Sequence, residues 1–273
     1  MIKDVVVPLE ANPADDLRLA AAETIAAQFT GRIIGLFFNV IPLLSLPIDA
    51  ETGAGMTIKL LRDARAAGDV KEAVLTTRMG KLMTPFEIRR FDVFPEDVAN
   101  IAVREARAGD SFISLRPDMN GEDLIEALLF GCGHHLFVLP AGYLMTDPVK
   151  HAAIAWNGSK EAARAVAEAM PMLLAAENVT ILVIDESAPA EERALLGSDV
   201  AVHLRHHGIR ASLHHVEMRE AGTGATLIAE VQRLSADAIV MGGYGHSRTR
   251  EWLLGGVTRE LLYRAPVPLI IAH

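Results

Sequence analysis

The feature that most constrains the fold is an order of short apolar runs and helical patterns that occurs twice along the chain. Val5-Val6-Val7 is a β-branched strand. Asn12-Pro13-Ala14-Asp15 then signals a helix start, with Asn as N-cap and Pro at the first helical position. Leu17, Ala21, Thr24, Ile25 and Gln28 share one face of that helix, and Gly31 is placed to end it. Ile33–Val40 is continuously apolar, as a strand covered on both faces should be. A mainly helical stretch from Met56 to about Leu82, with Gly68 as a candidate break, leads to an expected strand at Glu87–Phe94. Next come a helix at Pro95–Arg107, a strand at Ser111–Leu115, a helix at Glu122–Phe130 and a strand at Leu136–Leu139. Such alternation predicts an α/β fold with a doubly wound parallel sheet.

Pro140-Ala141-Gly142 and Asp147-Pro148 have linker composition, and after them the design restarts. Strands are expected at Ala152–Trp156, Val179–Ile184, Ile209–Val216, Ala238–Met241 and Leu269–Ala272. Asn157-Gly158-Ser159 is a turn and cap before a helix that buries Ala163, Val166, Ala167 and Met170, with Pro171 expected to kink or shorten it. Further helices are expected at Glu191–His207, closed by Gly208, at Thr223–Leu234, and from about Val257. The period is roughly 140 residues, within the usual size of one domain. It predicts two tandem domains, 1–145 and 146–273.

Composition narrows the function. A hydrophobic content of 51% suits a compact protein, and a net charge of −9 gives no reason to expect nucleic acid or an acidic membrane as partner. The single cysteine, Cys132, excludes an internal disulfide and suits a reducing, cytoplasmic setting. Met1-Ile2-Lys3-Asp4 does not read as a signal peptide, and the apolar stretch Ile33–Pro47 is interrupted by Asn39 and Pro42. No membrane span is expected.

The stretch that carries chemistry begins at Ala238–Met241. It continues through Gly242, Gly243, Tyr244 and Gly245, then nine residues, then Gly255, Gly256, Val257 and Thr258. Strand, glycine loop, helix N-terminus is the arrangement that cradles phosphate, because the backbone can approach an anion and unpaired amides point at it. The same glycines could simply make tight turns. The spacing is neither a Walker A loop nor the dinucleotide Gly-x-Gly-x-x-Gly pattern.

Gly242, Gly245 and Gly255, with Gly256 in place of Ser or Thr, resemble the loop of the universal stress protein family. Ala265-Pro266-Val267-Pro268-Leu269-Ile270-Ile271 is similar to that family's last strand. The resemblance covers the second copy throughout and the first through its element order and both ends. It implies two tandem universal-stress-type domains, each a five-stranded parallel α/β sheet, with ATP, accompanied by Mg²⁺, held beyond the strand ends. Asn157 falls where ATP-binding members place an Asp against the nucleoside, and a backbone contact falls on Val183. Phosphate contacts fall on Gly242, Gly245, Gly255, Gly256 and Val257. Asn157 lacks the charge and Gly256 the hydroxyl, departures of about 1 kcal/mol each where the hydrogen bond is otherwise made. In the first copy Glu10 takes the acidic position, but Leu115-Arg116-Pro117-Asp118-Met119-Asn120-Gly121 lacks the glycine loop, so this copy is expected to be a degenerate partner.

The resemblance thus implies a stress-response protein that binds an adenine nucleotide in its second domain as a non-catalytic regulator or scaffold. An ATP hydrolase or nucleotidyl transferase on the same sheet would need His246, Arg248 or Arg250 to act on phosphates, and none has a readable partner. A structural dimer module with no ligand is the third reading. Other candidates are weaker. His214 and His215 alternate across a strand, His206 and His207 close a helix, and no spacing completes a zinc pattern. Cys132 lies between two glycines without a nucleophile elbow. The last strand of each copy is expected at an edge, so Leu136–Leu139 and Leu269–Ala272 should pair within the chain, tethered by Pro140–Lys150. A homodimer of whole chains stays open.

Overall fold

The computed structural model describes residues 1–42, 52–116, 122–185, 196–244 and 256–273. The strands among them are β1 (Asp4–Leu9), β2 (Arg32–Val40), β3 (Phe86–Val93), β4 (Ser111–Leu115), β5 (Leu136–Leu139), β6 (His151–Ala155), β7 (Asn178–Asp185), β8 (Ala211–Glu217), β9 (Ala238–Gly242) and β10 (Leu269–Ala272). The helices are α1 (Ala14–Phe29), α2 (Thr52–Met79), α3 (Val98–Ala106), α4 (Glu122–Gly131), α5 (Lys160–Ala175), α6 (Ser198–His206), α7 (Thr223–Leu234) and α8 (Gly256–Arg264). A 3₁₀ turn at Pro95–Asp97 precedes α3.

All these strands belong to one sheet of order β3-β2-β1-β4-β5-β10-β9-β6-β7-β8. Within each half every pairing is parallel, and the chain direction reverses once, at the antiparallel pair β5–β10. There Val138 faces Leu269, Phe137 faces Ile270 and Leu136 faces Ile271. The edge-strand argument from the sequence expects this pairing. Successive strand residues point to opposite faces, so Val5 and Val7 enter one core and Val6 the other. The first core is covered by α1, the end of α2, α5 and α6, through Leu19, Leu75, Met172 and Leu204. The second is covered by α3, α4, α7 and α8, through Ala102, Leu128, Leu227 and Leu261. Both cores run unbroken across the β5–β10 seam.

The two halves repeat each other down to single hydrogen bonds. Asp110, at the start of β4, accepts the backbone N–H of Lys3 at 2.7 Å and of Asp4 at 2.9 Å. Asp237, at the start of β9, accepts those of Lys150 and His151, each at 2.8 Å. Ala11, just beyond the exit of β1, has φ 59°, and its counterpart beyond β6, Gly158, has φ 73°.

Some local expectations are corrected. Gly68 does not break α2, which runs from Thr52 to Met79. A Cβ there would lie 2.5 Å from Asn39 Nδ2 and 2.6 Å from Arg90 Nη2, so the glycine lets the helix settle on polar groups of β2 and β3. Pro171 does not shorten α5, which continues to Ala175. The left-handed residue that closes α1 is Thr30, φ 53°, while Gly31 is needed because a Cβ would meet Lys3 O at 2.7 Å. Residues 186–195, which include the start of the helix expected at Glu191–His207, lie outside the described residues; its described part is α6.

Polar groups flank the seam. Arg164 of α5 donates to the carbonyl of Gly133 and pairs with Glu168 at 2.9 Å. Glu168 Oε2 lies 3.5 Å from His134 Nδ1 and 3.9 Å from His135 Nδ1 in the other half. Burial pushes the Glu168 carboxyl up, but His135, Arg164 and His134 together hold it below its ordinary value of 4.5. A carboxyl depressed on folding contributes stability that is complete above its unfolded value and is lost as pH falls through the folded one. Glu168→Gln should therefore flatten the acid limb of the stability curve below about pH 4.5, as read by denaturant midpoints across that range. Ile270→Asp places an unpaired charge on a fully buried side chain opposite Phe137. It should cost about 3–5 kcal/mol, measured by chemical denaturation.

Candidate functional site

Open parallel sheets collect ligands beyond the carboxyl ends of their strands, where the strand order reverses. In the second half that point lies between β6 and β9, which pair from Ala152–Ala238 to Ala155–Met241. Asn157 leaves β6 with its side chain exposed. Its Oδ1 accepts the N–H of Ser159 at 3.1 Å, and Ser159 Oγ accepts the N–H of Ala162 at 3.1 Å, capping α5. Ser159 is therefore a helix cap, and Asn157 shapes the turn that presents it.

Gly242 ends β9. A Cβ there would lie 2.5 Å from Ala162 N and 2.5 Å from Glu161 C, so the strand end presses directly on the first turn of α5. A Cβ on Gly243 would lie 2.6 Å from Leu129 Cδ2, a side chain of α4 in the other half. The Gly243 N–H donates to Ala272 O at 2.8 Å. Tyr244 takes a left-handed φ of 56° and donates its N–H to Thr258 Oγ1 at 3.2 Å, which ties the exit of β9 to the first turn of α8. Its ring lies 5.3 Å from that of Phe130, which in turn packs edge-on against His273 at 4.5 Å.

Gly256 opens α8 and is exposed, and a Cβ there would meet nothing within 4 Å. Val257 is half-buried and Thr258 buried. The first amides of a helix have no partner within it and carry its positive end, so this turn offers donors to an anion. Val183 is buried in the core of β7, which leaves its backbone rather than its side chain for any contact. Gly245 and Gly255 lie outside the described residues, as do His246, Arg248 and Arg250. The structure thus brings Asn157, Gly242, Gly256 and Val257 to one end of the sheet. Gly242 has a packing reason for being glycine that the sequence does not reveal.

One charged group at this end escapes the sequence reading. Glu161, buried in the first turn of α5, lies 3.4 Å from Lys160 Nζ. Burial pushes its carboxyl up, yet its own amide and Lys160 hold it below the usual range. A carboxylate at the start of α5 repels a second anion there, which leaves α8 as the helix end open to one. An acid in the first turn after a Ser cap, where the helix dipole favours negative charge, is the available signal.

In the first half, Glu10 stands where Asn157 does. It pairs with Arg18 at 2.8 Å and accepts from Asn12 Nδ2 at 2.6 Å. Leu115 and Arg116 replace Gly242 and Gly243, and Arg116 donates to the carbonyl of Ala265 in the other half. Cys132 is buried, donates to His134 O at 3.2 Å, and has its thiol pushed up by burial, the character of an inert packing cysteine. Among the described residues no three His, Cys, Asp or Glu side chains group to hold a metal, and no helix is long and apolar enough to cross a membrane.

Residues 148–273 match the model of the Universal stress protein family. No curated protein matches the chain. Among solved structures it is similar to a universal stress protein from Archaeoglobus fulgidus, at 15% identity and a TM-score of 0.70, over 98% of this chain and 95% of the other. It is also similar to a putative universal stress protein from Pseudomonas aeruginosa, at 15% identity and a TM-score of 0.59, over 99% and 93%. At these identities the likeness is one of fold, and it extends over both halves. The tandem universal-stress-type α/β architecture therefore holds for the whole chain.

Gly242→Ala should destabilise the chain by about 1–3 kcal/mol, because the added methyl meets backbone that cannot move aside. Gly256→Ala should be neutral or stabilising by up to about 1 kcal/mol, since it adds a better helix former facing open space. Thermal denaturation of the two variants separates these outcomes.

Proposed function

We propose that the second half binds one adenine nucleotide, ATP, beyond the carboxyl ends of β6 and β9, and that the protein acts as a non-catalytic regulator or scaffold. The observation that carries this reading is the first turn of α8. It opens at the exposed Gly256, tied by Thr258 to the exit of β9, at the switch point of a universal stress protein domain. The residues present suit a polyanion with a nucleoside attached. Amides of Gly256 and Val257, with those of Gly245 and Gly255, would donate to phosphate oxygens. Asn157 would hydrogen-bond a ribose hydroxyl through an uncharged side chain, and the Val183 backbone would meet the base. Mg²⁺ accompanying ATP would be held chiefly by phosphates and water.

A rival reading, a structural module without ligand, is favoured by the packing role of Gly242 and the turn role of Asn157. Titration calorimetry with ATP decides between them. One site per chain is expected, with micromolar or weaker affinity. Asn157→Ala should weaken it by about fivefold, the equivalent of one hydrogen bond. Gly245→Val should abolish it, and Glu10→Ala should leave it unchanged. Absence of heat at millimolar ATP would favour the structural module, and ATP turnover that disappears in Gly245→Val would favour an enzyme.

A further inference from the structure

At the strand end of the first half, a buried carboxylate occupies the place where donors converge. Asp15 is 0% exposed. Its Oδ1 accepts the N–H of Glu10 at 3.1 Å and Arg18 Nη1 at 2.8 Å. Its Oδ2 accepts the N–H of Asn12 at 3.3 Å and Arg78 Nη1 at 3.3 Å. Arg18 is only 8% exposed, and its Nε has no hydrogen-bond partner among the described residues. Arg78 comes from the last turn of α2 and also donates to Asn12 O at 2.6 Å. Two guanidinium groups and two main-chain amides around a buried point form the donor set that an oxyanion takes. The second half lacks this arrangement. Counted from the left-handed residues Ala11 and Gly158, the Asp15 position there holds Ala162.

We propose that Asp15 is a tethered occupant of an oxyanion site in the first half, and that removing its carboxylate uncovers affinity for a phosphate-type anion. The site is independent of nucleotide binding in the second half. Its driving force is electrostatic. Arg18 also pairs with Glu10 at 2.8 Å and Arg78 with Asp16 at 3.3 Å, but both of those carboxylates are largely exposed. Without Asp15 the buried side of the two guanidiniums and the amides of Glu10 and Asn12 lose their acceptor, which is costly. An anion from solution can supply what the side chain supplied. The same contact draws Arg78, and with it the end of α2, over the mouth of β1, so the first half is closed by its own carboxylate.

The test uses the full chain and inorganic phosphate, against sodium chloride of matched ionic strength. Melting temperatures are compared for wild type, Asp15→Ala and the double variant Asp15→Ala with Arg18→Ala. In chloride, Asp15→Ala should melt below wild type. Phosphate at about ten times its dissociation constant should raise Asp15→Ala by roughly 3 °C more than it raises wild type or the double variant. Equal phosphate shifts in all three, or an Asp15→Ala variant as stable as wild type in chloride, would overturn the proposal. Should Asp15→Ala be unfolded in chloride, circular dichroism in phosphate decides. Recovery of the folded spectrum supports the site, and an unfolded spectrum in both salts sinks it.

Discussion

The structure depends on the antiparallel pairing of β5 with β10. Each strand has four residues and each would otherwise be the open edge of a parallel sheet, with a row of unpaired amides and carbonyls. Pairing the two edges removes both at once. It also sets the two halves about an approximate two-fold relation inside one chain, as an isologous interface does between subunits. The apolar consequences are as important as the hydrogen bonds. Phe137 and Ile270 meet within the first core and Val138 and Leu269 within the second, so neither half has a core that ends at the seam. Side chains then cross in both directions, Arg116 to the carbonyl of Ala265 and Arg164 to that of Gly133.

The seam reaches the candidate site. Gly243 lies against Leu129 and Tyr244 against Phe130, so the residues that leave β9 are packed by the opposite half. Tyr244 holds a left-handed backbone, a conformation that costs a non-glycine residue about 1 kcal/mol or more unless its surroundings fix it. Here Thr258 fixes its amide and Phe130 its ring. A ligand that reordered the first turn of α8 would have to move Thr258, and through it Tyr244 and the contact with the first half. The route is a short chain of contacts, from α8 through Tyr244 to α4.

How much a sequence discloses depends on the range of the interactions. Strands buried on both faces are apolar throughout at Leu136–Leu139 and Leu269–Ala272, which are legible to the residue. The linker and the repeated order make the duplication visible as well. Glycines are harder, because a glycine records a need for space and not the group that fills it. The space at Gly242, which sequence spacing gives to phosphate, is filled by the backbone of α5. Gly68 has the look of a helix break, yet its space is filled by Asn39 and Arg90, while Gly256 does face open space. Asp15 reads only as part of a helix start. One of its partners, Arg78, lies far along the chain and carries no local sign of the contact.

The two halves keep one frame and differ at the strand ends, and the reason lies in what each feature is made of. The seam and the carboxylate brackets of Asp110 and Asp237 act on backbone groups. They tolerate wide change in side chains, and both halves retain them. The exits of β4 and β9 depend instead on side-chain size, since Gly242 lets β9 press on α5 and Gly243 lets it press on Leu129. Leu115 and Arg116 stand where Gly242 and Gly243 do, and Arg116 is drawn into the seam instead. Donors left at the mouth of β1 still require a counter-charge, because buried polar groups must be partnered whether or not a ligand is bound. Asp15 meets that requirement permanently. The buried donors at the mouth of β1 thus have an internal acceptor, and the backbone pairing that joins the halves does not depend on it.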